Sequence, residues 1–268
     1  MNVDTVLLPK VENMTGLKVP VTINGTGFSV PDNIVTNEEL SQVLDTSDEW
    51  IQTKTGIKER RYLNDGEITS DLCIKASEEA ILNANITAQE VDAIILTTTT
   101  PDQRLPSTAL VIKDAIGASR AIPIDLNQAA CAGGIFSIVI GSHLLQNEHI
   151  NNVLVIGAEV LSRATDPVDR STKVFFGDAA GALVLQKARE GNGLLAWDID
   201  STLNNAVQIV GGGSVPLPDG ETIESSQYIK MDGREVWKMA TKKIPSSMRK
   251  VIQKAGLAVQ DIDHFLIH

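Results

Sequence analysis

The sequence predicts an α/β fold with a mainly parallel sheet, built from two similar halves. Three observations predict it. Short β-like runs alternate with longer helical patterns, most of those runs are apolar on both sides, and one helix–turn–strand unit recurs. Strands that are apolar on both sides belong to a sheet covered by helices front and back.

VTINGTGFSV (21–30) is the first predicted strand. Two helix starts follow, because Thr36-Asn37-Glu38-Glu39 and Thr46-Ser47-Asp48-Glu49 each fit a capping box. Ser70 opens a further helix over DLCIKASEEAILNAN. VDAIILTTT (91–99) and AIPIDL (121–126) are strands, GIFSIVIGSHLLQN (134–147) is a helix, and NVLVIGAE (152–159) and GALVLQK (181–187) are strands again. Lys238, Lys242, Lys243, Arg249, Lys250 and Lys254 lie along a helical segment broken or kinked at Pro245. Its apolar stripe is Ile244, Met248, Ile252 and Ala255. FGDAAGA (176–182) and Gly211-Gly212-Gly213 lack the order of phosphate-binding loops, so both are expected to be tight structural turns.

The recurring unit is NANITAQEVDAIIL (83–96) and KAGLAVQDIDHFLI (254–267). Ala84, Gln89 and Asp92 recur as Ala255, Gln260 and Asp263, and Glu90-Val91 as Asp261-Ile262. Each copy reads as a helix end, an acidic turn and a buried strand. Chance similarity of two such units is one explanation and a duplicated fold the other. The first copy is followed by about 90 residues of further strands and helices, and the second by His268 alone. If the halves match, the second is expected to be incomplete.

Of 268 residues, 43% are hydrophobic and 21% charged, which suffices for a full core and excludes a disordered or low-complexity chain. A net charge of −11 argues against a protein held to nucleic acid through phosphates. The N-terminus has no basic stretch followed by a long apolar core, and no apolar run reaches the roughly 18 residues that span a bilayer. A cytoplasmic protein with no membrane partner is the expectation. Two cysteines are too few for a disulfide scaffold and point to cytosolic thiols. No cluster has metal-ligand spacing, so no metal is expected.

Cys131 lies in DLNQAACAGGIF between a buried strand and an apolar helix. The first turn of a helix favours a thiolate, and Ala129, Ala130, Ala132, Gly133 and Gly134 leave room for a ligand to approach the sulfur. A nucleophile and a structural cysteine both fit that position. Cys73, inside a helical pattern, belongs to the core. A nucleophilic thiol needs a base or cation partner, and four histidines could supply one. His143, His149 and His264 read as surface residues, whereas His268 ends the predicted FLI strand, where an α/β sheet commonly places functional groups.

DTSDEWIQTKTGIKERR (45–61), TTTTPDQRLPSTA (97–109), DLNQAACAGG (125–134), GAEVLSRATDPVDRSTKVFFGDAAGALVL (157–185), YIKMDGREVWKMA (228–240) and DIDHFLIH (261–268) occur here in that order. From about Val19 to its last residue, the chain thereby resembles the ketoacyl-ACP synthase III enzymes of the thiolase-like superfamily. The resemblance implies two βαβαβαββ halves stacked as a five-layer α-β-α-β-α sandwich. Residues 1–18 would then be an N-terminal extension, 19–187 the N-terminal half with the nucleophile, and 188–268 the start of the C-terminal half.

It also implies that Cys131 accepts an acyl group and that His268 is the histidine of the family's His-Gln-Ala-Asn motif, of which Gln, Ala and Asn do not follow here. Trp50 and Arg170 match the residues that sandwich the CoA adenine, and a flat guanidinium and an indole can hold a purine. Thr46 and Lys54 fall where the family contacts the nucleotide, Lys54 replacing the usual arginine. Gly233 matches the glycine beside the pantetheine arm, and Lys238 a residue linked to carrier docking. Leu105 stands where many relatives carry a Phe that reaches the partner's acyl pocket.

The implied reaction moves an acyl group from CoA to Cys131 and then condenses it with malonyl-ACP by decarboxylation. Acyl-CoA is thus a substrate, no cofactor is implied, acyl carrier protein is a partner, and a homodimer is expected. A same-fold acyltransferase of secondary metabolism and a non-catalytic fragment are the alternatives.

Overall fold

The computed structural model describes residues 16–127, 130–189 and 192–268. Most of the predicted N-terminal extension lies outside them, as do Gln128 and Ala129 beside Cys131. In chain order come β1 (Val21–Ser29), β2 (Ile34–Thr36), α1 (Asn37–Ser41), α2 (Asp48–Thr55), β3 (Glu59–Arg61) and α3 (Thr69–Asn83). Then follow β4 (Ala93–Thr97), α4 (Thr108–Ala115), β5 (Ile122–Leu126), α5 (Gly133–Leu144), β6 (Asn152–Val160), α6 (Arg170–Lys173) and β7 (Asp178–Lys187). The remainder holds β8 (Val207–Gln208), β9 (Lys230–Met231) and α7 (Gly233–Lys254).

The large elements up to Lys187 run β1-α3-β4-α4-β5-α5-β6-β7, which is the βαβαβαββ order the resemblance implies. Their five strands form one sheet in the order β1-β7-β6-β4-β5. The expectation of a mainly parallel sheet needs correction. β4 is parallel to β5 and β6, but β7 is antiparallel to both β6 and β1. Parallel neighbours need a long crossover. Between β6 and β7 the chain carries only the short α6, so β7 returns antiparallel.

The central strands are buried at successive positions, as a sheet covered on both faces requires, and their side chains alternate between two clusters. Ile94, Leu96, Leu154 and Ile156 face a cluster with Leu72, Ala76 and Ala80 of α3 and Ile112 of α4. Ala93, Ile95, Val153 and Val155 face the opposite cluster, with Leu145 and the flank of α5. Helix α3 lies very close to β1: a Cβ on Gly25 or Gly27 would stand 2.3 Å from the Ala80 or Ala76 carbonyl oxygen. Those glycines are the close-approach residues of this interface.

Local signals hold at several starts. Thr36 caps α1 in a full capping box with Glu39. Helix α2 departs from expectation: its cap is Ser47, extended at φ −144°, whose Oγ accepts the Trp50 N–H at 3.1 Å, so Thr46 lies one residue outside. The FGDAAGA stretch is not a turn throughout, because β7 begins at Asp178. Ala180 and Ala182 are buried alternately along it, and the Asp178 carboxylate accepts from Leu63, Ser162 N–H and Ser162 Oγ. Helix α7 runs unbroken across Pro245, where a break or a kink was expected. Proline removes one N–H, and the turns on either side keep theirs.

The repeat is visible in the backbone. Helices α3 and α7 end at Asn83 and Lys254, with left-handed residues two positions on, Asn85 (φ 55°) and Gly256 (φ 69°). A 3-10 turn follows each, at Ala88–Glu90 and Val259–Asp261. Each turn's last carboxylate accepts an N–H at 2.8 Å, from Thr87 and from Ala258. The first copy continues into β4. The second does not form the predicted FLI strand, and Phe265, Leu266 and Ile267 are exposed. A strand persists only in a ladder, and no segment of the described residues pairs with this one.

Candidate active site

Cys131 sits in a 3-10 turn, Ala130–Ala132, that leads directly into α5, and it is exposed. The preceding Ala130 has φ +41°, a left-handed conformation that costs an alanine about 1–2 kcal/mol. A strained turn of small residues holding a side chain outward suits a group that must be reached. Two residues on, Gly133 packs so tightly on β4 that a Cβ there would stand 1.9 Å from Thr97 Oγ1. The small residues around the thiol therefore serve packing as well as access. Cys73 is buried, as expected, and burial pushes its thiol well above the ordinary range.

Beyond the end of β4, Thr99 and Thr100 are held by a carboxylate that the sequence reading did not single out. Glu159 of β6 accepts the Thr99 N–H at 2.9 Å, the Thr99 hydroxyl at 2.8 Å and the Thr100 hydroxyl at 3.0 Å. Burial pushes this carboxyl above its ordinary value of 4.5, while the three hydrogen bonds pull the other way. The signal available in the sequence was one acid inside an otherwise apolar strand, NVLVIGAEV.

The sign of that shift makes a prediction. The folded chain keeps a proton that the unfolded chain releases, so the resulting stabilisation is complete below pH 4.5 and is lost as pH rises through the raised value. Glu159→Gln keeps a neutral group that can serve the same threonines. Its stability relative to the native chain therefore rises as pH increases from 4.5 through the raised value, as urea unfolding measures. A difference that does not change with pH contradicts the assignment.

Trp50 and Arg170, 120 positions apart, meet with Arg170 Cζ over the indole, 4.9 Å from its centroid. Trp50 stands on the first turn of α2, and Arg170 opens α6 behind its cap Asp169. The guanidinium also donates to the Asp45 carbonyl at 2.5 Å. Beside the pair runs an open groove of about 890 Å³, lined by Trp50, Ser171, Phe175, Lys230, Gly233 and Arg234 among others. A Cβ at Gly233 would meet no atom within 4 Å, so the packing of this chain does not require a glycine there. Thr46 Oγ1 is buried without a hydrogen-bond partner, and Lys54 is exposed in the last turn of α2.

Other predicted residues stand apart. His268 is exposed, and no hydrogen bond or ion pair joins it to Cys131. Leu105 is 85% exposed at the tip of its loop. Lys238 is exposed and pairs with Glu235 at 3.5 Å. The basic face of α7 is partly neutralised from within the chain. Lys243 meets Asp200 at 2.6 Å, and Asp198 receives Lys254 at 3.0 Å and Lys250 at 3.8 Å. Among the described residues there is no group of side chains that could hold a metal ion, and no helix long and apolar enough to cross a membrane.

The sequence model of the family described as 3-oxoacyl-[acyl-carrier-protein] synthase III matches residues 124–202, which include Cys131 and Arg170. A beta-ketoacyl-[acyl-carrier-protein] synthase III of Clostridium perfringens is 42% identical over 247 residues, covering 91% of this chain and 75% of that protein. The chain belongs to the beta-ketoacyl-[acyl-carrier-protein] synthase III family. The Clostridium acetobutylicum member is 44% identical over 251 residues, covering 92% of this chain and 76% of its own length. The crystal structure of the Thermus thermophilus synthase III superposes with a TM-score of 0.80 at 39% identity, over 90% of this chain and 74% of that one. A priming beta-ketosynthase of the R1128 polyketide pathway gives 0.79 at 28% identity, over 92% and 75%. The fold is that of the thiolase-like synthases, and the chain belongs to a class of condensing acyltransferases.

Proposed function

We propose that Cys131 is the acyl-accepting nucleophile of a 3-oxoacyl-ACP synthase III reaction, with acyl-CoA held by its nucleotide between Trp50 and Arg170. The observation that carries this reading is an exposed thiol on a strained turn at the head of α5, in a chain whose Trp50 and Arg170 already stack over an open groove. The thiolate attacks the acyl-CoA carbonyl, the tetrahedral intermediate collapses, and CoA leaves as its thiol. Malonyl-ACP then loses CO2, its carbanion attacks the Cys131 thioester, and 3-oxoacyl-ACP departs as the thiolate is regenerated. His268 serves the second half-reaction by stabilising the enolate oxygen.

In this reading Gly233 leaves space for the pantetheine arm, and Thr46 and Lys54 meet the nucleotide and its phosphates. Lys238 contributes to carrier docking, and Leu105 to the acyl pocket across a homodimer. A Leu there is smaller than Phe and admits a primer larger than acetyl. The test is mass spectrometry of the intact chain with acetyl-CoA, then with malonyl-ACP. An acetyl adduct on Cys131 that is consumed to give 3-oxoacyl-ACP supports the reading. Absence of any adduct on Cys131 overturns it.

The clamp makes its own prediction. Stacking of a base on an aromatic ring contributes about 1–3 kcal/mol. Trp50→Ala therefore raises the half-saturating acyl-CoA concentration about fivefold or more, with the saturated acylation rate unchanged, as single-turnover kinetics measure.

A further inference from the structure

We propose that Arg60 is the positioning residue of this clamp: its one buried guanidinium sets the separation of α2, which carries Trp50, from α6, which carries Arg170. The inference rests on the clamp reading of those two residues.

Arg60 lies on β3 and is 6% exposed. No ion pair reaches it among the described residues. Its fork spans three acceptors on three different segments. Nη1 donates to the Val35 carbonyl at 3.2 Å, and Nη2 donates to Asn37 Oδ1 at 2.6 Å and to the Val174 carbonyl at 3.3 Å. Val174 caps the C-terminus of α6, so the last bond ties down the short helix that Arg170 opens.

The other branch reaches α2. Asn37 is fully buried, and its Nδ2 donates to Asp48 Oδ1 and to the Ile57 carbonyl, both at 2.8 Å. Asp48 is the first residue of α2, two before Trp50, and Ile57 follows the helix at its far end. One chain of bonds thus runs from α6 through Arg60 and Asn37 to both ends of α2. Between the helices, Ile51 and Val174 are fully buried in one apolar cluster against which Trp50 packs.

Burying a cation without a counter-charge is costly, and an apolar residue of the same size would fill the space without that cost. What the guanidinium supplies is a rigid planar fork that meets several acceptors at once. Spacing is what a two-jawed aromatic site needs. A purine occupies about 3.5 Å on each face, so admitting one means parting the 4.9 Å pair by about 2 Å. The two side chains supply that opening while the helices hold their places; a shift of either helix by a similar amount takes one face away from the base.

The experiment compares single-turnover acylation of the full chain by acetyl-CoA and by acetyl-pantetheine, which has no nucleotide. Arg60→Lys keeps the charge and loses the fork. It raises the half-saturating acetyl-CoA concentration about tenfold, while the saturated rate and the acetyl-pantetheine rate stay within about twofold. Asn37→Ala, which cuts only the α2 branch, shifts acetyl-CoA in the same direction by a smaller factor. It decides the matter if Arg60→Lys fails to fold.

Unchanged half-saturation in the folded variants overturns the proposal, as does an equal loss with both donors. Trp50→Ala run in parallel separates the two layers of argument. If it leaves half-saturation unchanged, the clamp reading itself fails. If Trp50→Ala weakens acetyl-CoA and the Arg60 and Asn37 variants do not, only the present inference fails.

Discussion

Cys131→Ala loses acyl uptake from acyl-CoA by at least about 10³-fold, the scale expected when a covalent nucleophile is removed. In the proposed reaction the sulfur is the atom to which the acyl group bonds, and the chain's other thiol cannot replace it. Cys73, the second cysteine, is fully buried in the α3 cluster, and burial holds its proton on. Cys73→Ala therefore keeps uptake and changes stability instead. Cys131→Ser also fails, because a hydroxyl stays protonated at neutral pH and is a poor nucleophile without a strong adjacent base. Intact-mass spectrometry and radiolabel retention after acetyl-CoA treatment read the outcome. Undiminished label on Cys131→Ala would remove the assigned nucleophile and the proposed reaction with it.

Gly133→Ala has the largest structural effect expected of any single methyl group near the site. The added carbon would lie 1.9 Å from Thr97 Oγ1 and 2.9 Å from Thr97 Cβ and Cγ2. Thr97 cannot step aside: it is 6% exposed, β-branched, and paired through β4 to strands on both sides. The start of α5 must move, at a cost of about 1–3 kcal/mol. Cys131, two residues earlier, moves with it, and acylation falls at least about tenfold.

Gly134→Ala is the control. Nothing stands within 4 Å of its Cβ, and alanine is the better helix former by about 1 kcal/mol. That variant is neutral or stabilising. Thermal unfolding and single-turnover acylation of the two variants measure the contrast, and equal stability of both would contradict the packing argument.

The residues proposed to meet substrate could be picked out in the sequence because their chemistry is distinctive in place: a cysteine among small residues at a strand–helix junction, an indole and a guanidinium in family-like segments. The residues that hold them could not. Arg60 lies in KERR, which reads as a solvated charged run, and becomes a buried fork only because Asn37 and Val174, 23 and 114 positions away, surround it. Glu159 acquires its role from threonines 59 and 60 positions back. The basic residues of α7 show the converse. A basic stripe looks free in the sequence, yet Asp198 and Asp200 satisfy three of its six charges.

The two copies of the repeat separate the levels of determination. Helix end, left-handed residue, 3-10 turn and carboxylate cap recur 171 positions apart, because every partner in them lies within a few residues. The apolar run after each turn is equally strand-like in the sequence, AIIL in one copy and HFLI in the other. Only the first becomes a strand, because β5 and β6 lie beside it and supply its hydrogen bonds. Local sequence by itself determined turns, caps and helices. Tertiary structure alone decided strand pairing, the burial of Arg60 and the meeting of Trp50 with Arg170, since each depends on a partner that only the fold brings near.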